Sequence, residues 1–138
     1  MEPHHKETKG LGMPWEAQYG YAQALKIDDT VWLAGQVGHD AHGAIVGPDM
    51  TAQMRQAYAN IAQVLAHFGL GMADVVDETL YVLDNDAAFA ARQLLGREVY
   101  PDPLQVPSTM IGVARLNVPE FLVEIKVVAK QGRAAAAQ

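Results

Sequence analysis

Apolar residues return along this chain in two rhythms. Between positions 51 and 68, Met54, Ala57, Tyr58, Ile61, Val64, Leu65 and Phe68 recur at three- and four-residue steps, which places them on one face of a helix. Asp49 or Thr51 can accept the free backbone N–H groups at its start, and Gly69 supplies the stop. At roughly 1.5–3 kcal/mol per fully buried large apolar side chain, this stripe is a major contributor to the core. A second helix is predicted from Asp86 to about Tyr100, with Phe89, Leu94 and Leu95 facing the core and Pro101 and Pro103 ending it.

Elsewhere the rhythm shortens to alternation. Tyr21 to Ile27 and Thr30 to Val37 read as a hairpin turning at Asp28-Asp29. Val75 to Leu83 is strand-like, and Thr109 to Leu116 and Phe121 to Ala129 are two closing strands joined by Asn117-Val118-Pro119-Glu120. Gly38 to Pro48 is a loop with room for a brief strand at Ala44-Ile45-Val46. Residues 1–14 read as a flexible lead-in and 131–138 as a frayed tail. The order β-β-(β)-α-β-α-β-β is an α+β pattern, expected as a single domain over 1–138.

Two helices cover one face of such a sheet. Val31, Leu33 and Val37 are expected on one face of their strand and Trp32 and Ala34 on the other, and both sets are apolar. A strand apolar on both sides needs a second cover, so another copy of the chain is expected as a partner.

Composition narrows the function. The 138 residues carry 16 acidic and 10 basic side chains, a net charge of −6, so a nucleic-acid partner is not expected. With no cysteine, disulfides, thiolate catalysis and thiolate metal sites are excluded. Neither a secretion signal nor a membrane-spanning run is evident, and a cytoplasmic protein without membrane contact is the expectation.

Among polar residues, Glu124 in Phe121-Leu-Val-Glu-Ile-Lys-Val-Val128 stands out. It is either a surface carboxylate facing Lys126 or a sheltered carboxyl that handles water and a proton. Tyr21 either packs with its hydroxyl at the rim or offers a phenol to a substrate. Gly35 inside a strand marks a bulge or a close approach of ligand to backbone. Ser108 and Thr109, after Pro107, either satisfy the preceding loop or bind a polar group; no neighbouring base would make the serine a nucleophile. His39-Asp40-Ala41-His42 is bounded by Gly38 and Gly43 and reads as a turn, without a third metal ligand. Neither Gly10-Leu11-Gly12 nor Gly69-Leu70-Gly71 has the setting of a phosphate loop, so no cofactor is expected.

Taken in order, Tyr21-Ala22-Gln23-Ala24, Ala34-Gly35-Gln36-Val37-Gly38, Gln53 with Tyr58-Ala59-Asn60-Ile61, Val113-Ala114-Arg115-Leu116 and Val123-Glu124-Ile125 resemble the Rid family (YjgF/YER057c/UK114) from about Pro14 to Ala129. The resemblance implies a chorismate-mutase-like α+β domain, a mixed six-stranded sheet with two helices on one face, and a homotrimer with clefts between subunits. It also implies hydrolysis of small imines or enamines, with Glu124 and Tyr21 catalytic and Gly35 lining the cleft. The family's substrate-binding arginine is missing: Ser108, or Pro107 under a one-residue shift, stands in its segment. A family asparagine corresponds to Gln93. Trp15-Glu16 resembles a Trp-Glu pair of arginine-lacking branches, which brings Trp15 in as a substrate contact beside Ser108, Thr109 and Gln93. The reading is a Rid-like hydrolase or deaminase for a small imine, enamine or related unsaturated carbonyl metabolite, with a larger or less acidic substrate favoured. Its alternative is a non-catalytic trimeric module that binds a small metabolite or a protein.

Overall fold

A computed structural model describes residues 4–132; positions 1–3 and 133–138, including most of the tail expected to fray, lie outside the described residues. The strands are β1 (Glu7–Lys9), β2 (Ala24–Ile27), β3 (Thr30–Leu33), β4 (Gln36–Val37), β5 (Val75–Val82), β6 (Ser108–Gly112) and β7 (Val123–Lys130). Helices α1 (Pro14–Tyr19), α2 (Met50–Ala66) and α3 (Asn85–Val99) intervene. The fold is α+β, with one mixed sheet ordered β1-β2-β3-β7-β5-β6 and β4 also pairing with β7. The pairs are antiparallel except β5–β6, which run parallel on either side of the crossover through α3.

The α2 stripe behaves as its spacing predicts. Met54, Ala57, Tyr58, Ile61, Val64 and Leu65 are all buried, Asp49 accepts from the Ala52 N–H, and Gly69 follows with φ of 74°. On β7, Val123, Ile125, Val127 and Ala129 point into the same core while Glu124, Lys126 and Val128 face the other way. The hairpin between β2 and β3 turns at Asp28-Asp29, with Asp28 at φ 54°.

Other expectations need correction. Residues 4–14 include β1, which pairs with β2, and the start of α1; a six-residue helix among glycines leaves little periodicity to read. The β2 strand begins only at Ala24, leaving Tyr21 before it. Phe89 and Leu94 are not core residues of α3: they are 67% and 55% exposed, and the helix instead buries Ala88, Ala91, Leu95 and Gly96. Small residues let α3 lie close against α2, so its inner face carries little bulk. The strand expected over Thr109–Leu116 runs instead over Ser108–Gly112, and β5 lies between it and β7.

The long strand expected over Thr30–Val37 is interrupted. Trp32 pairs with Val128 and Gln36 with Ile125, four steps on one side against three on the other, which defines a bulge at Ala34-Gly35. The extra residue shifts parity. Leu33 and Gln36 both point inward, and Val37, expected beside Val31 and Leu33, pairs with Glu124 on the opposite face. That face keeps Trp32 40% exposed, along with Ile111 of β6.

One buried carboxylate ties the elements together. Glu78 on β5 has no exposed surface and takes four donors. The Tyr58 hydroxyl (2.8 Å) and Tyr100 hydroxyl (2.7 Å) donate to Oε1, while Arg92 Nε (2.6 Å) and Ser108 Oγ (2.5 Å) donate to Oε2. Arg92 also lies 5.4 Å from the Tyr100 ring centroid. Burial and the Glu78 charge push both phenols far above the ordinary tyrosine range, so they remain donors. The network joins α2, α3, β5 and β6. Replacing Glu78 by Ala strands Arg92 and both phenols, and about 3–5 kcal/mol of stability should be lost in urea denaturation. A loss no larger than that of a surface substitution would remove the carboxylate from this role.

Candidate active site

The bulge opens onto a cavity of about 650 Å³. Glu124 enters it from β7, Gly35 and Val37 from the bulged edge, Trp15 and Tyr19 from α1, and Tyr21 from the segment before β2. Leu116, Val118 and Phe121 close the far side from the β6–β7 connection. Four residues singled out in the sequence, Glu124, Tyr21, Gly35 and Trp15, thus meet in one place.

Gly35 is required there by contact. A Cβ at this position would fall 2.5 Å from Oε2 of Glu124, so the carboxyl lies across the bare backbone of the bulge. Gly38 has a related reason, since its Cβ would meet the Gln53 carbonyl oxygen at 2.7 Å. Two buried amides on α2 fix the surrounding loops. Gln53 donates to the carbonyls of Gly47 and Glu120 and accepts from the Leu122 N–H, which anchors the segment entering β7. Asn60 donates to the carbonyls of Val37 and His39. The family-like pair Gln53 and Asn60 was noted in the sequence, but not this anchoring task.

A hydrogen-bonded chain runs from the bulge to the phenol. Gln36 Nε2 donates to the Ala34 carbonyl (3.1 Å) and to Gln23 Oε1 (2.7 Å). Gln23 Nε2 in turn donates to the Tyr21 oxygen (3.2 Å) and to Glu16 Oε2 (3.4 Å). Glu16 also accepts from the Leu11 and Met13 N–H groups, holding the start of α1. Because the Tyr21 oxygen accepts from Gln23, its own proton is free for a ligand. Burial pushes this phenol up, reinforced by the charges of Glu16 and Glu124 and opposed by hydrogen bonding from Trp15 and Gln23. Gln23, Gln36 and Glu16 are site residues that sequence reasoning did not single out; all three sat inside quoted motifs but without a role.

Glu124 is half-buried, and burial alone pushes its carboxyl above the ordinary range. No hydrogen bond or opposite charge from the described residues offsets that effect. Lys126, its expected surface partner, is exposed and makes no ion pair with it among the described residues. An unpaired carboxyl in a cleft, free to gain or lose a proton, suits general acid–base chemistry.

The remaining expected contacts lie elsewhere in the single chain. Ser108 and Thr109 begin β6 and are exposed, and the Ser108 proton goes to Glu78. Gln93 is exposed on α3. None of the three lines the cavity. In the His39–His42 turn, Asp40 accepts from the His42 and Ala44 N–H groups, which holds its carboxyl below the usual range, Ala44 contributing most. His39 is buried and meets the Trp15 ring edge-on at 5.1 Å, while His42 is exposed.

Residues 14–131 match the family model described as Endoribonuclease L-PSP. The chain belongs to that family. Among its relatives is the RutC family protein YjgH of Escherichia coli K12, 31% identical over 114 residues, covering 83% of this chain and 85% of the relative. Another is the 2-iminobutanoate/2-iminopropanoate deaminase of Dermatophagoides farinae, 32% identical over 99 residues, covering 70% of this chain and 74% of the relative. The crystal structure of Rv2704 from Mycobacterium tuberculosis, a YjgF/YER057c/UK114 family member, superposes with a TM-score of 0.79 at 28% identity, covering 91% of this chain and 99% of that one. These neighbours match the mixed sheet described above.

The raised carboxyl of Glu124 has a consequence for stability. Its folded state holds a proton to higher pH than the unfolded chain does, so stability falls as pH climbs through the folded pKa. Glu124→Gln should therefore melt at a higher temperature than the parent at pH 7.5, and at the same temperature at pH 4 or below. A variant that melts lower at pH 7.5 would show that the carboxylate is stabilised where it sits.

Proposed function

We propose that this chain hydrolyses the C=N bond of an imine, or of an enamine that tautomerises to one, releasing a carbonyl compound and ammonia. The observation that carries the reading is Glu124, an unpaired and partly desolvated carboxyl over the side-chain-free Gly35 in a cavity that admits a small molecule. The deaminase name of the Dermatophagoides farinae relative supports the reaction class.

The steps balance with this chain's groups alone. Ionised Glu124 takes a proton from water as its oxygen bonds to the carbon of a protonated C=N, and the π pair moves to nitrogen. The resulting carbinolamine nitrogen then receives that proton from Glu124. The C–N bond breaks as the hydroxyl proton returns to Glu124 and the C=O forms; the proton leaves with ammonia as ammonium. Tyr21, kept protonated by its surroundings, donates a hydrogen bond that orients the substrate.

The edge bearing Ser108, Thr109 and Gln93 joins this site only through a second copy of the chain. Trp32, Ile111, Phe89, Leu94 and Leu104 leave apolar surface exposed on the open sheet face and near that edge, which supports self-association, proposed as a homotrimer. Light scattering should return a mass of three chains; a lone monomer at micromolar concentration would remove this element.

Glu124→Ala should reduce kcat/KM for ammonia release from enzymatically generated imines by about 10²–10⁴-fold. Tyr21→Phe should lose less. The parent rate should rise with pH through the elevated Glu124 pKa, and that limb should vanish in Glu124→Gln. Full activity in Glu124→Ala would sink the role given to this carboxyl, and no acceleration of ammonia release by the parent chain would favour a non-catalytic binding module.

A further inference from the structure

We infer that the site takes an imine with an uncharged aromatic or bulky apolar body, rather than a small imino carboxylate. This rests on the hydrolytic reading of Glu124 and goes beyond it by naming the substrate class. Three observations converge on it.

The first is charge. Among the described residues lining the cavity there is no lysine or arginine, and Glu124 is the only acid. The one basic ring, His39, is buried, with Nδ1 2.9 Å from the Asp40 carbonyl oxygen. A carboxylate placed at the C=N carbon would sit beside ionised Glu124 with no cation in the lining to balance it. Positive charge on the C=N nitrogen is received well, by Glu124 and by the aromatic faces around it.

The second is shape and lining. Trp15, Tyr19, Tyr21 and Phe121 supply aromatic surface, with Leu116 and Val118 beside them. Cavities of roughly 300–1,000 Å³ are those that enclose drug-sized ligands. A three-carbon imino acid would leave most of these walls in contact with water, whereas an aryl group covers them and gains the burial.

The third is where the two nearby guanidiniums are spent: Arg115, next to the lining, donates to the Leu116 and Asn117 carbonyls, and Arg92 shares a partner with Ser108. Arg92 bonds Glu78 Oε2 through Nε and packs on Tyr100, so its charge is matched inside the fold. Ser108 gives its proton to the same oxygen. If a second copy laid this edge over the cavity, it would bring a neutralised cation and a serine oxygen able only to accept. Such an edge suits an N–H or O–H donor on the substrate and does not replace a carboxylate clamp.

The test separates size from charge. A flavin-dependent amine oxidase acting on benzylamine supplies benzaldimine; an amino-acid oxidase supplies 2-iminopropanoate from alanine and 2-imino-3-phenylpropanoate from phenylalanine. Loss of each imine is followed in competition with semicarbazide. A kcat/KM for benzaldimine at least about tenfold above both imino carboxylates is expected, equivalent to about 1.4 kcal/mol. Equal or faster turnover of either carboxylate overturns the inference. If no imine is hydrolysed, the hydrolytic reading fails, and the inference is then decided by binding. Trp15 emission is titrated in a Trp32→Phe background with benzamide and with benzoate. Benzamide binding at least tenfold tighter upholds the inference. Benzoate binding as tightly, or saturation by neither, overturns it.

Discussion

Between Trp32 and Gln36 the chain from β3 to β4 carries one residue more than its partner on β7, and the geometry of the site follows from that surplus. A regular strand would have kept alternating, with a side chain from the neighbouring strand standing beside Glu124. Instead both Leu33 and Gln36 turn to the core, and the peptide between them bows toward the cavity. The carboxyl of Glu124 occupies the space that a Cβ at position 35 would need. The same distortion aims the Gln36 amide at the Ala34 carbonyl and at Gln23, which reaches the Tyr21 oxygen. A backbone irregularity therefore sets both the carboxyl and the phenol of the site.

Two glutamates on adjacent strands receive opposite treatment. Glu78 is wholly buried and takes four donors, so its desolvation is offset by hydrogen bonds and by Arg92. Glu124 is only half-buried yet has no donor from the described residues, and its proton affinity rises as a result. The first arrangement joins helices to sheet. The second leaves a group whose protonation changes easily, which is of little structural use and of direct use for moving protons.

What could be read beforehand divides along physical lines. The α2 face was legible because large side chains at helical spacing have one good place to go. The α3 face was not, because close helix packing selects alanines, whose burial carries little pattern, while Phe89 and Leu94 looked more like core than they are. The bulge was half legible: Gly35 signalled an irregularity, but the shift of Val37 to the other face depends on register with β7, which no single strand reveals. Glu78 shares inward parity with Leu80 and Val82, so the signal for a buried carboxylate was present and went unused. Its donors come from positions 58, 92, 100 and 108, and only the fold brings them together. Glu124, Tyr21, Gly35 and Trp15 converge as the motifs suggested, whereas Ser108, Thr109 and Gln93 sit on an edge that one chain does not bring to the cavity.

The sharing of one Glu78 oxygen by Arg92 and Ser108 makes those two positions a single chemical unit. A side chain without a donor at position 108 leaves Arg92 alone on that oxygen. A change at the strand position is therefore felt at the helix position, through the carboxylate oxygen they share.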